Sequence, residues 1–341
     1  MTQVHRCSDR SGWEGPLITL SILITAVVFG APSSARAPDF GALARKACTA
    51  PVGSKPMLPG IKVIAVPAVK DDLPYLRITD SRTGGTMNAY YDSASARSAW
   101  ARAACLGAQI RLTDEQTGSR WKNARWFAVT FTRDLNYIPP RSDSEHRWTI
   151  ATEANGSLGT AGQTMLAVTM PHEQVHAFQM RSGTKLPRWL EEGHAEWVSR
   201  KVKSILTPEA AASDARGYEE ALAAATTPLA LAQWGGITVS REAILRQASQ
   251  EDRRRMEAGP AYVPPGPFKI GPKDMVSDES NLMARYAGAY HVFSRLEKRF
   301  GAQAVSQWTA DLTANQAKVD LACALASARA TFGIDLSAEL E

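Results

Sequence analysis

The sequence predicts an α+β fold, with a small mixed or antiparallel sheet in the first domain and a mainly helical C-terminal portion. Three observations carry this. Short aromatic and β-branched runs sit at 125–132 (RWFAVTFT) and 146–151 (HRWTIA). Helical patterns flank them, and three further helical stretches, at 281–300, 302–315 and 317–331, close the chain. Across the 341 residues, hydrophobic content is 44% and charged content 21%, close to globular averages, which excludes wholesale disorder and a polytopic membrane protein. The formal net charge of +5 is spread along the chain and gathers on no face, so it does not argue for nucleic acid.

From the N-terminus, residues 1–15 carry Arg6 and Arg10, residues 16–30 are free of charge, and Ser33, Ala35 and Ala37 follow. A basic start, an apolar stretch and a small-residue exit describe a secretory signal peptide over 1–35, cleaved after Ala35. The apolar run is shorter than the ~20 residues a spanning helix needs. The expected location is therefore periplasmic or extracellular with no stable membrane span, or membrane-anchored if the signal stays uncleaved. Export places Cys48, Cys105 and Cys323 in an oxidising compartment. One disulfide, Cys48–Cys105 with Cys323 left over, stands beside the alternative of three small buried thiols.

Two domains are expected after the signal: 36–205, α+β, and 206–341, mainly helical. Residues 50–70 carry Pro51, Pro56, Pro59 and Pro67 and read as an extended lead-in. Residues 92–109 are Ala-rich with a Ser/Asp start and read as a helix. From Pro171 to about Lys203 the pattern is helical, broken at Arg181-Ser182-Gly183, with Pro187 suited to the first turn of the second helix. Residues 207–233 are Ala-rich and helical in part. Residues 250–281, charged and then rich in Pro and Gly, read as a loop that gates access to the site.

Chemistry concentrates in His172-Glu173-Gln174-Val175-His176, an HExxH motif. Positions i and i+4 lie about 40° apart around a helix, so two imidazoles reach one Zn²⁺. Glu173 projects nearby as a general base that takes a proton from water and passes it to a leaving amine. A third ligand is required, with the fourth position left open. The metzincin extension would place Gly and His where Gln179 and Ser182 stand, which excludes that class. Downstream, Leu186-Pro187-Arg188-Trp189-Leu190-Glu191-Glu192-Gly193-His194-Ala195-Glu196-Trp197 offers Glu192 on a second helix after one turn.

HExxH followed by W-L-x-E-G-x-A-E resembles the gluzincin metallopeptidases, in the peptidase MA-like branch distantly related to the aminopeptidase N family. The close match covers residues 170–198. The resemblance implies a zincin-like catalytic domain, His172, His176 and Glu192 as zinc ligands, and a Tyr on a C-terminal helix that donates to the oxyanion of the transition state. Tyr286 in RYAGAY fits best, with Tyr290 one turn later as runner-up. Glu196, i+4 from Glu192, is the candidate partner for the second ring nitrogen of a ligand His, against a plain surface salt bridge. Glu191 reads as a solvated helix residue, His194 as a satisfied polar contact, Trp189 and Trp197 as packing residues, and His291 as structural. No G-x-M-E-N motif precedes the HExxH, so nothing holds a free amino terminus and aminopeptidase activity does not carry over. The expected function is an exported zinc peptidase that hydrolyses bonds in a peptide or protein substrate through zinc-activated water. A non-catalytic zinc-binding protein and an envelope scaffold are the alternatives.

Overall fold

The computed structural model describes residues 39–68, 72–117, 125–137, 147–181, 184–259, 262–277, 280–314 and 318–341. The expected signal peptide, 1–35, lies outside the described residues, as do Ser182 and Gly183 of the expected turn. Helix α1 (Phe40–Cys48) is capped by Asp39, whose carboxylate accepts from the Gly41 amide at 3.0 Å. Strands β1 (Ile61–Val66), β2 (Tyr75–Asp80) and β3 (Thr86–Tyr91) form an antiparallel meander. Helix α2 (Ala96–Thr117) crosses to β4 (Arg125–Thr132) and β5 (Arg147–Ala151), which join in parallel. The result is a mixed five-stranded sheet in the order β1-β2-β3-β4-β5.

The two strands expected from sequence are β4 and β5; the meander is additional. The lead-in expected over 50–70 contains β1. In β2 the inward positions are Leu76, Ile78 and Asp80, so a carboxylate interrupts the apolar alternation. Asp80 is fully buried and accepts from Arg111 of α2, with Nε 2.9 Å from Oδ2. This pair also lets α2 run on to Thr117, beyond the expected end near Gln109, through a polar C-terminal stretch that is nonetheless buried. Gly107 sits where α2 meets β1 and β2: a Cβ there would lie 2.5 Å from the Ile61 side chain.

A short helix α3 (Thr160–Thr164) and a π-helical segment, Met165–Thr169, lead into α4 (Met170–Arg181), and α5 (Arg188–Leu206) returns beside it. Pro187 occupies the N-cap of α5, one residue before the expected first-turn place. Helix α6 (Pro208–Ala224) follows. A small antiparallel pair, β6 (Ile237–Val239) and β7 (Met275–Ser277), brackets α7 (Arg241–Gln247) and α8 (Gln250–Ala258). The loop expected over 250–281 is thus corrected: its charged first part is helical. Ser249 caps α8 by accepting from the Asp252 amide at 3.1 Å, Glu251 pairs with Arg255 one turn on, and Met256 anchors the helix in the interior. Helices α9 (Leu282–Phe300), α10 (Ala302–Ala314) and α11 (Leu321–Phe332) match the expected C-terminal set. Among the described residues, no helix is long and apolar enough to cross a membrane.

Two main apolar clusters organise these layers. One joins β2 to β5 with α2 and α4, through Leu76, Leu106, Phe131 and Phe178. The other joins α5 to α9, α10 and α11, through Trp189, Trp197, Phe293 and Trp308. The two tryptophans expected as packing residues are fully interior. The expected disulfide Cys48–Cys105 is present and ties α1 to α2. Cys323 is not left over, because it is disulfide-bonded as well.

Candidate metal centre

Helices α4 and α5 bring His172, His176 and Glu192 together. His172 Nε2 and His176 Nε2 are 2.8 Å apart, and each lies 3.2 Å from Glu192 Oε2. All three residues are no more than 9% exposed. The HExxH spacing aligns the imidazoles on one face of α4, with ring planes at 79°. Gly193, the residue after Glu192, meets α9: a Cβ there would lie 2.8 Å from the Ala289 carbonyl oxygen and 3.0 Å from the Phe293 ring. The bare backbone of the E-G pair therefore admits α9, and one turn before Ala289 on that face stands Tyr286.

The outer hydrogen bonds decide where the imidazole protons sit. His172 Nδ1 lies 2.6 Å from Glu196 Oε1, an atom that can only accept when the carboxyl is ionised. His176 Nδ1 lies 2.7 Å from Gln179 Oε1. The Gln179 amide is oriented by its other end, since Nε2 donates to the Glu191 carbonyl at 2.8 Å. Both Nδ1 atoms thus carry protons, and in the neutral rings both Nε2 atoms present lone pairs to each other and to a carboxylate. Glu192 Oε2 is buried and receives no hydrogen bond. Three acceptors facing one point draw in a positive charge, either a metal ion or a proton. Their separations are close to the edge of about 3.3 Å that a tetrahedral site with metal–nitrogen bonds of 2.0–2.1 Å would have. The cluster can hold a metal ion.

Electrostatics agree with that chemistry. Burial pushes His172 down, but the Glu192 and Glu196 carboxylates outweigh it and raise it to about 10: without a metal, the pocket draws in a proton instead. Burial would raise Glu192, yet the two imidazoles hold it down at about 2. Glu196 is likewise about 2, where burial is overcome by His172 and by Lys203. Glu173 is half-buried beside the ligands, and burial raises its carboxyl.

The other candidates fall around this cluster. The Tyr286 ring centroid is 6.0 Å from that of His172 and 5.1 Å from that of Trp234. Its hydroxyl is pushed up to about 12, first by burial and then by the Glu192 charge, while Arg188 donates a hydrogen bond to it. Tyr290 is engaged elsewhere, its ring 4.2 Å from the Arg200 guanidinium, which Tyr218 covers on another side at 4.4 Å. His194 is buried and held as a polar contact between Gln179, at 3.3 Å, and Thr309, at 3.5 Å. Burial, then the charge of His176, takes it down to about 3. Glu191 is not a freely solvated residue: it is half-buried, and burial raises its carboxyl. His291 lies 3.5 Å from Glu219, in no contact with the cluster.

Sequence reading overlooked three supporting residues. Gln179 is i+3 from His176, and that spacing alone marks it as a neighbour of the ring. Arg188, i−4 from Glu192, places Nε 3.7 Å from Oε1. Lys203, two turns beyond Glu196, is 1% exposed and pairs with Asp214 at 2.7 Å and with Glu196 Oε2 at 3.7 Å. In the run Arg200-Lys201-Val202-Lys203-Ser204 it reads as one more surface charge, which gave no reason to place it near the centre. Comparison with protein-family models finds no match for this chain, and comparison with curated proteins finds none either.

Proposed function

We propose that the protein is an exported zinc peptidase of gluzincin type. The observation that carries this reading is the convergence of His172 Nε2, His176 Nε2 and the orphaned Glu192 Oε2, with Glu173 beside them and no fourth protein ligand among the described residues. Two imidazoles and one carboxylate form a donor set suited to zinc with an open position. When bound, zinc would supply a Lewis acid that polarises the scissile carbonyl and acidifies water. Glu173 accepts the proton of the attacking water at its carboxylate and delivers it to the leaving nitrogen. Its raised proton affinity brings it closer to the range useful at neutral pH. The Tyr286 hydroxyl donates to the oxygen on which negative charge develops, and its high pKa keeps that proton in place. Glu196 and Gln179 hold the two rings in the tautomer that frees both Nε2 atoms. The N-terminal signal and the two-cysteine bridge are the features that support export.

The test compares wild type with Glu173→Gln for zinc content and for cleavage of a diverse peptide library. Expected are one zinc per chain in both proteins and a fall in cleavage of about 10²–10⁴-fold in the variant. Wild type that binds zinc but cleaves nothing removes the peptidase reading and leaves a zinc-binding protein. Equal cleavage by both removes Glu173 as the base.

A further inference from the structure

Away from the metal cluster, a cavity of about 400 Å³ opens between α1, α2, the end of α5 and the segment 157–167. Its walls combine apolar surface, from the Cys48–Cys105 disulfide, Leu166 and Leu206, with polar side chains such as Ser98 and Gln163. Arg102 lines it and is only 6% exposed. Its Nη2 donates to the Gly156 carbonyl at 2.5 Å, and its guanidinium lies 4.9 Å from the Phe131 ring centroid. Its Nη1 is buried and has no hydrogen-bond partner, and the charge of Asp92 acts on it only from beyond ion-pair distance, so among the described residues no carboxylate touches it. Arg111, nine positions later on α2, shows the contrast: it is equally buried and fully paired with Asp80.

A buried cation with no carboxylate in contact is costly, a distant one such as Asp92 offsets that cost only in part, and structures resolve the remainder with a partner. We propose that this cavity binds a small organic monocarboxylate with an apolar tail, its headgroup on Arg102 and its chain along the disulfide and leucine walls. A single cation matches a single negative charge, whereas a dianion such as phosphate would leave excess charge in an apolar chamber. The volume falls in the range of small-molecule sites, which pair apolar walls with a few convergent polar groups. Gln109 is wall and not ligand: its Nε2 donates to the Leu166 carbonyl at 2.8 Å, and its Oε1 accepts from Gln174 at 2.9 Å.

Titration calorimetry on the whole protein, with octanoate and with 1-octanol as probes, tests this. Octanoate binds once per chain, and octanol binds weaker by about tenfold or more, the worth of one charge-assisted contact. Arg102→Met weakens octanoate by a similar factor while octanol is unaffected. Ala167→Phe, which fills the cavity and keeps the cation, abolishes both. Octanoate affinity is the same with and without a chelator, which separates this site from the metal cluster. The proposal is overturned by the absence of binding up to millimolar octanoate, by equal octanoate affinity in either variant, or by loss of binding on chelation. If Arg102→Met does not fold, the Ala167→Phe result decides alone.

Discussion

Glu196 Oε1 approaches His172 Nδ1 to 2.6 Å, and its other oxygen lies 3.7 Å from a lysine that is 1% exposed. This carboxylate orients the imidazole and lends it basicity, so under the proposed function its removal would act on metal binding before it acts on the fold. Glu196→Ala should weaken zinc about 10–100-fold, read by competition with a chromophoric chelator. Lys203 keeps Asp214 at 2.7 Å, so the variant retains a partner for the buried ammonium and stays folded. Unchanged zinc affinity would show that the contact is only a salt bridge. Tyr286 makes a different kind of prediction because, in the proposed mechanism, it meets charge that exists only in the transition state. Tyr286→Phe should lower kcat about 10²–10³-fold with KM and zinc content unchanged. A rise in KM with kcat intact would place the hydroxyl on the substrate instead.

At the scale of elements, the approach of α9 to α5 through Gly193 sets the distance between Tyr286 and the ligands. Gly193→Ala would drive a methyl group against the Ala289 carbonyl and the Phe293 ring. We expect a loss of about 1–3 kcal/mol in urea unfolding and a fall in activity with zinc retained. Full stability and activity would mean that the helices separate freely. The E-G pair was legible in sequence only through the family resemblance, and this contact gives a physical reason for a residue without a side chain at Gly193. On α4, His172 and His176 were legible from their i, i+4 spacing, and the break before α5 from its Ser-Gly turn and Pro187. The meander was not: Asp80 points into the core of β2, and only Arg111, far along the chain on α2, makes that tolerable. Nor was α8, whose polar surface carries a cap and an i,i+4 pair but only one interior anchor, Met256. Asp92, after β3, accepts from the Ser95 amide at 2.8 Å and the Arg133 amide at 3.2 Å, tying the ends of β3 and β4. Burial opposes ionisation, but these amides prevail and hold its carboxyl below the ordinary 3.8. Its folded pKa is depressed, so its stabilisation is present above 3.8 and fades as pH falls below that value. Asp92→Asn should flatten the acid limb of the stability curve, checked by thermal melts from pH 5 down to about pH 2.

At the scale of the whole molecule, one disulfide and the candidate metal centre would hold different layers. The Cys48–Cys105 disulfide joins α1 to α2 behind the sheet, while a metal on His172, His176 and Glu192 would join α4 to α5. The disulfide closes a sequence separation of 57 residues and should contribute about 2–4 kcal/mol by restricting the unfolded chain. Zinc at a thousandfold excess over its dissociation constant would add about 4 kcal/mol by binding only the folded state. Among the described residues, polar contacts between the two layers include the Gln174 to Gln109 hydrogen bond of 2.9 Å between α4 and α2 and the Arg45 Nε to Ile205 carbonyl bond of 2.8 Å between α1 and α5, of which the amide pair is the buried one. Removing the bridge by Cys48→Ala with Cys105→Ala, and removing zinc with a chelator, should therefore lower stability almost additively, within about 0.5 kcal/mol. Zinc content of this double variant should be unchanged, because none of His172, His176 and Glu192 belongs to α1 or α2. A larger departure from additivity, abolished by Gln109→Leu, would show instead that this one buried amide pair transmits strain from the disulfide to the HExxH helix.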